Sequence, residues 1–367
     1  MASISKRKDG KWLGQVNSGG KRKSFYGNTK KEVESKISEY LNDINTYGAE
    51  MSKVNISIEK LMHTHLFVNV KPRVSLGTFE RYMSLYNTHI KDSTFGGYDA
   101  KVTIHNDVQK FINSKSDLSN QSISMIKYLL HQSFNHAIAN NIIRVNPVAA
   151  ISPPRSTYKE KAIDVLTIDE QAKFMSVLSK THYELLFVLE LNTGMRVGEI
   201  TALRWENVDL DNQTIKVRET KRLVKKYDND GNSQDIMHTK EPKSKSGSRD
   251  IPIHKNINKK LKELKINNGA SKDDFVFLNT NKEQIKYDSI SKAQKMLCKK
   301  AKIREVTFHC LRHTFATRLI ENGEDIKTVS QLLGHSKADI TINRYVHSTA
   351  NTKIQAIDKL YTSYNAL

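Results

Sequence analysis

Three of the chain's six prolines, Pro147, Pro153 and Pro154, fall within eight residues. Proline fixes φ and removes a backbone donor, so neither a helix interior nor a central strand runs through such a stretch. A chain of 367 residues interrupted there folds as separate domains. Before this linker, a basic, turn-rich opening gives way to helical periodicity near residue 50. The expected organisation is therefore 1–50, 52–150 and 151–367.

In the opening segment Trp12 to Val16 reads as a strand, Asn17-Ser18-Gly19-Gly20 as a hairpin turn, and Lys21 to Tyr26 as the return strand. Thr29 caps a helix from Lys30 to about Tyr47, with Val33, Ile37, Tyr40, Leu41 and Ile44 on one face. Trp12, Phe25 and Tyr26 are expected to form most of this small core. Residues 52–150 read as helices: one starting at Ile58 and interrupted by Pro72, then Thr78 to Ile90, Asn106 to Ser114, and Ser119 to Asn140. The last carries Ile123, Ile126, Leu129, Leu130, Phe134 and Ile138 on its apolar face. Beyond the linker come helices at 168–179, 184–191 and 197–203, with a turn at Asn192-Thr193-Gly194. Short strands follow at 215–217 and 251–253, separated by a charged excursion, and the chain is then mostly helical from Asp288 to Leu360 with breaks at Gly323 and Gly334.

The longest dense apolar stretch, Leu185 to Leu191, is broken by Glu190 and falls far short of the ~18 residues of a membrane span. No apolar segment follows Lys6, Arg7 and Lys8, so no secretory leader is expected. Cys298 and Cys310 alone make neither a disulfide framework nor a cysteine-based zinc site, and a reducing cytoplasm is the default compartment. With 59 Lys+Arg against 39 Asp+Glu, the net charge of +20 suits a polyanionic partner, since each neutralised phosphate releases counterions. The charge is concentrated twice. Residues 1–31 hold nine basic side chains and one acid, and residues 216–262 hold fourteen and six. Lys6, Arg7, Lys8, Lys21, Arg22 and Lys23 are candidate phosphate contacts in the first cluster and Lys243 in the second.

Four pieces of the third segment carry chemistry. In Thr193-Gly194-Met195-Arg196-Val197-Gly198-Glu199, Arg196 stands where a turn becomes a helix, and Glu199 lies one helical turn along. Lys243-Ser244-Lys245-Ser246-Gly247-Ser248-Arg249 is a cationic loop ahead of a strand. His309 and Arg312, three apart, share a helix face. His309 and His313 have the spacing of a metal pair, but no suitable third ligand lies near and the arginine disfavours a cation. Leu333-Gly334-His335 precedes Tyr345 by ten residues from the histidine. Two arginines, a lysine, two histidines and a tyrosine suit phosphodiester chemistry that needs no metal or other cofactor. Guanidiniums stabilise charge building on phosphate oxygens, and concentrated positive charge helps ionise a phenol whose ordinary pKa is ~10.

These motifs resemble the tyrosine recombinases, specifically the integrases of temperate phages and related mobile elements. T-G-x-R-x-x-E matches Thr193 to Glu199. The β-hairpin lysine matches Lys245, with Lys243 as a competitor. H-x-x-R matches His309 and Arg312, and L-G-H-x(9)-Y matches His335 and Tyr345. The resemblance implies a multidomain α+β fold. Its parts are a small three-stranded sheet plus helix that binds arm-type DNA sites (1–50), a helical core-binding domain (52–150), and a mainly α catalytic domain with a small antiparallel sheet (151–367). It implies that Tyr345 is the nucleophile and forms a 3′-phosphotyrosine. Arg196, Arg312 and His335 then bind the phosphate, Lys245 protonates the leaving oxygen, His309 serves as general acid/base and Glu199 supports the site. It also implies double-stranded DNA as partner, a homotetramer, and possible excision and DNA-bending factors. Two alternatives remain at this point: a non-catalytic DNA-binding regulator on the same scaffold, and a type IB topoisomerase.

Overall fold

The computed structural model describes residues 2–18, 21–47, 55–159, 164–240, 247–336 and 361. The chain divides into two compact units, residues 1–160 with 225–234, and residues 161–224 with 235–367.

The first unit opens with strands β1 (Ala2–Lys6), β2 (Trp12–Ser18) and β3 (Lys21–Gly27), antiparallel in the order β1-β2-β3, followed by helix α1 (Lys30–Tyr47). Thr29 accepts from the Glu32 amide at 3.2 Å, as expected of the N-cap. Val16 and Phe25 bury against Val33, Ile37 and Tyr40. Tyr26 departs from expectation: it is 51% exposed. The pleat explains this, because Tyr26 is paired with Leu13 while its neighbour Phe25 is paired with Gly14 on the helix side. The same alternation separates the candidate contacts. Arg22 is exposed, whereas Lys23 lies 5.1 Å from the Tyr40 ring. Lys6, Arg7 and Lys8 are exposed, with Arg7 5.5 Å from the Tyr26 ring. Lys21 opens β3, and its side chain is outside the described residues.

Helices α2 (Ile58–His65), α3 (Leu76–His89), α4 (His105–Asn113) and α5 (Asn120–Ala139) follow. Ser57 and Ser119 cap α2 and α5 through side-chain oxygens. The chain after α2 passes through a π-helical turn, Leu66–Val70, and a 3-10 turn, Lys71–Arg73, so Pro72 enters where no amide is required. The core gathers Ile58, Leu61, Leu66, Phe79, Met83, Ile123, Ile126, Leu130 and Phe134. Ile138 is 36% exposed, and Ala137 takes the buried position at that end of α5.

The second unit contains α6 (Ile168–Leu178), α7 (Glu184–Thr193) and α8 (Val197–Ala202), then β4 (Val208–Asp209) and β5 (Thr214–Val217). In chain order β6 (Thr220–Tyr227) and β7 (Ser233–Lys240) come next, with residues 225–227 and 233–234 counted in the first unit, and then β8 (Arg249–Pro252), α9 (Lys255–Asn267), α10 (Tyr287–Lys300), α11 (Phe308–Glu321) and α12 (Ile326–Leu333) in the second. One sheet has the order β4-β5-β8, and β6 and β7 form a separate two-stranded ribbon. Asn192 and Thr193, expected in a turn, are the last residues of α7, and Gly194 alone reverses the chain at φ +59°. The charged excursion is largely the β6–β7 ribbon, which shows no apolar alternation to betray it. The core runs from Phe174 and Leu178 through Leu186 and Phe187 to Phe308 and Leu311.

Candidate active site

Chain reversals at Gly194 and Gly334 build the site. Gly194 has no room for a side chain, because a Cβ there would lie 2.4 Å from Phe315 Cδ1. The tight exit from α7 places Arg196 at the N-cap of α8, where its amide donates to Glu199 Oε2 at 2.8 Å and its Nη1 to Oε1 at 2.8 Å. Arg312, in the first turns of α11, is 2% exposed. Its Nη1 donates to Gly194 O, and its Nη2 donates to Leu333 O at 2.6 Å and meets His335 Nε2 at 3.2 Å. As a guanidinium only donates, Nε2 is the acceptor, which puts the imidazole proton on Nδ1. Gly334, left-handed at φ +65°, ends α12, and its carbonyl lies 3.5 Å from Arg196 Nη2. The two arginines thus meet one reversal of the chain, Leu333 to His335.

Burial and the neighbouring charges of Arg196 and Arg249 push the Arg312 guanidinium down from its ordinary range, while Glu199 and Glu190 oppose that shift. Glu199 is itself buried, which raises its carboxyl. The bonds from Arg249 and the charges of Arg249 and Arg196 outweigh that effect and hold it below the usual value. A cleft of about 850 Å³ opens here, lined by Glu190, Arg196, His309 and Arg312 with Met195 and Phe308 as apolar wall. The His309 and His313 rings meet edge to face at 4.5 Å. Among the described residues no three His, Cys, Asp or Glu side chains gather as a metal site would require.

Arg196, Arg312, His335, His309 and Glu199 are therefore brought together. Lys243, Lys245 and Tyr345 lie outside the described residues. Two participants were not anticipated. Arg249, read as the end of a cationic loop, has a buried side chain that donates to Glu199 at 2.9 and 3.2 Å and to Leu332 O at 2.6 Å. The signal was present in its spacing: two residues before Ile251, it shares that residue's face of a strand. Glu190 was noted only as a break in an apolar run, yet an acid in the interior of so apolar a helix, away from the terminal Glu184, is itself a signal. It is wholly buried, and among the described residues neither carboxylate oxygen has a hydrogen-bond partner.

A model of the phage integrase family matches residues 164–352. The chain is 31% identical over 357 residues to a tyrosine recombinase XerC-like protein of Caldanaerobacter subterraneus subsp. tengcongensis, spanning 92% of this chain and 91% of the relative. It is 28% identical over 299 residues to the ICEBs1 integrase of Bacillus subtilis, spanning 77% of each. In fold it is similar to the integrase of transposon Tn1549, solved with a circular intermediate DNA, at a TM-score of 0.66 and 22% identity, over 83% of this chain and 99% of that one. The chain belongs to the phage integrase family. It is a tyrosine site-specific recombinase, an enzyme of DNA strand breakage and rejoining.

Proposed function

We propose that this recombinase integrates and excises a mobile element by binding the scissile phosphate of its attachment site between Arg196, Arg312, His309 and His335. Tyr345 then attacks the phosphorus, the bond to the 5′ oxygen breaks, and Lys245 (or its neighbour Lys243) protonates that oxygen. The resulting 3′-phosphotyrosine conserves the phosphodiester free energy, so a 5′-hydroxyl of a second duplex reseals it without ATP. His309 moves protons as general acid/base, and Glu199 with Arg249 fixes Arg196. The observation that carries this reading is the convergence of Arg196 and Arg312 on the Leu333 to His335 reversal. Two guanidiniums held there by carbonyls and a carboxylate are preorganised for an anion and need no metal to neutralise it.

In the same proposal, residues 1–50 bind arm-type sites through the open sheet face that carries Arg22 and Tyr26. Residues 52–150 grip the core site, and residues 151–367 do the chemistry. Exchange of four strands through a four-way junction calls for a homotetramer on double-stranded DNA, with an excision factor and a DNA-bending protein as accessory partners. Among the described residues no helix is long and apolar enough to cross a membrane, and the bacterial cytoplasm is the proposed setting.

Incubation with nicked core-site DNA tests the chemistry. Wild type should form a denaturation-resistant adduct, and Tyr345→Phe should bind the DNA but form none. Adduct through Tyr361 or Tyr364 would show that the nucleophile was misassigned. Arg312→Ala should slow adduct formation about a hundredfold, as expected for losing ~3 kcal/mol of oxyanion stabilisation. Cleavage at the wild-type rate would remove Arg312 from the site.

A further inference from the structure

Glu190 has no part in the chemistry so far, yet it is among the least comfortable groups in the molecule. It lines the same cleft as Arg196, His309 and Arg312, is fully buried, and neither oxygen has a hydrogen-bond partner among the described residues. An ionised carboxylate so placed without hydrogen bonds is costly. The charged groups that face it are Arg312 of α11, Glu199 of α8 and Arg249 of β8. The other helices packed on α7 present apolar side chains to the shared core, Phe174 and Leu178 from α6 and Ile257 and Leu261 from α9. The other acid of α7, Glu184, is engaged at the far end of the helix by Lys260 and the Lys180 amide. Glu199 is already bound by Arg249 and Arg196, so Arg312 is the cation that an ionised Glu190 would claim.

We propose that Glu190 is a positioning residue acting through Arg312: as the neutral acid it leaves the guanidinium to the scissile phosphate, and as the carboxylate it competes with that phosphate. The inference rests on the assignment of Arg312 to the phosphate. Burial supports the neutral form, since it drives the Glu190 carboxyl well above its ordinary value, and the negative charge of Glu199 adds to the shift, against the opposing pull of Arg312. The sign follows. Raising the pH ionises Glu190, reduces the positive charge of the cleft and weakens its hold on the transition state. Loss of cleavage as the pH rises through the ionisation of Glu190 therefore originates in part at this side chain.

Single-turnover adduct formation by the full chain on nicked core-site DNA, followed from pH 6 to 10, tests it. In Glu190→Gln the side chain cannot ionise. Glu190→Leu is run beside it because an amide leaves buried polar atoms unpartnered where leucine does not. The expected result is that the ratio of variant to wild-type rate climbs with pH, by about tenfold per unit along the wild-type alkaline limb. Parallel profiles for both variants would overturn the proposal. So would an equal loss of cleavage at every pH, which would mean that the carboxylate is required. Failure of both variants to bind core-site DNA would make Glu190 a requirement of folding and would likewise overturn it. A wrong assignment of Arg312 shows separately, as wild-type cleavage by Arg312→Ala at pH 7.

Discussion

Arg249 shows how much of this cluster depends on a residue outside its motifs. Its side chain is 7% exposed and that of Glu199 4%, and the pair shares two contacts, at 2.9 and 3.2 Å. Arg196, 40% exposed, takes its orientation from the same carboxylate. Removing one partner of a buried ion pair leaves a desolvated charge behind, at a cost of ~3–5 kcal/mol. Arg249→Met is therefore expected to lower the unfolding free energy by about 3 kcal/mol in urea titration, and Glu199→Gln in that background should restore part of the loss. A change below about 1 kcal/mol would place the pair with ordinary surface ion pairs. The rest of the constellation was legible because each residue sits inside a short motif: Arg196 three before Glu199, His309 three before Arg312, His335 directly after Leu333-Gly334. Arg249 belongs to no such motif, and only its bonds from β8 to Glu199 of α8 give it a role.

Two kinds of element differ in how readily they can be read. Helices α1, α5 and α6 announce themselves through apolar spacing and an N-cap, because burial on one face forces a period on the sequence. The β6–β7 ribbon does not. Val224 and Tyr227 are its buried residues, and with neither face covered throughout there is nothing for period-two alternation to record. The link between α7 and α8 is where an element boundary becomes chemistry. Gly194 combines a left-handed backbone with a carbonyl that receives Arg312 and no room for a Cβ beside Phe315. Gly194→Ala should destabilise the chain by well over the ~1 kcal/mol of left-handed strain alone and reduce adduct formation. Gly269→Ala is the control: it is also left-handed, at φ +57°, but nothing lies within 4 Å of its added Cβ. Equal stability losses in the two variants, by thermal unfolding, would mean that the contact with Phe315 yields without cost.

At the scale of the whole molecule, a net charge of +20 is a property of no single site. Its first concentration lies on a small sheet, where Arg22 faces outward and Lys23 lies over aromatic rings. If residues 1–50 serve the arm-type sites, a chain lacking residues 1–47 should lose protection of distal sites in footprinting while still binding the core site weakly. The salt dependence of its overall binding should also become shallower, in proportion to the phosphates no longer neutralised. Unchanged distal footprints would transfer that role to another part of the chain.

Local patterns in the amino-acid order were enough to mark most of the helices, the basic character and the short motifs that carry Arg196, Glu199, His309, Arg312 and His335. Each of these is dictated by near neighbours: a cap and its helix, a charge and its solvent. The partnership of Arg249 with Glu199, the isolation of Glu190, and the meeting of Arg196 and Arg312 at one chain reversal join residues tens to more than a hundred positions apart. Desolvation fixes their energetics, and how deeply a charge is buried is set by whatever the folded chain packs around it.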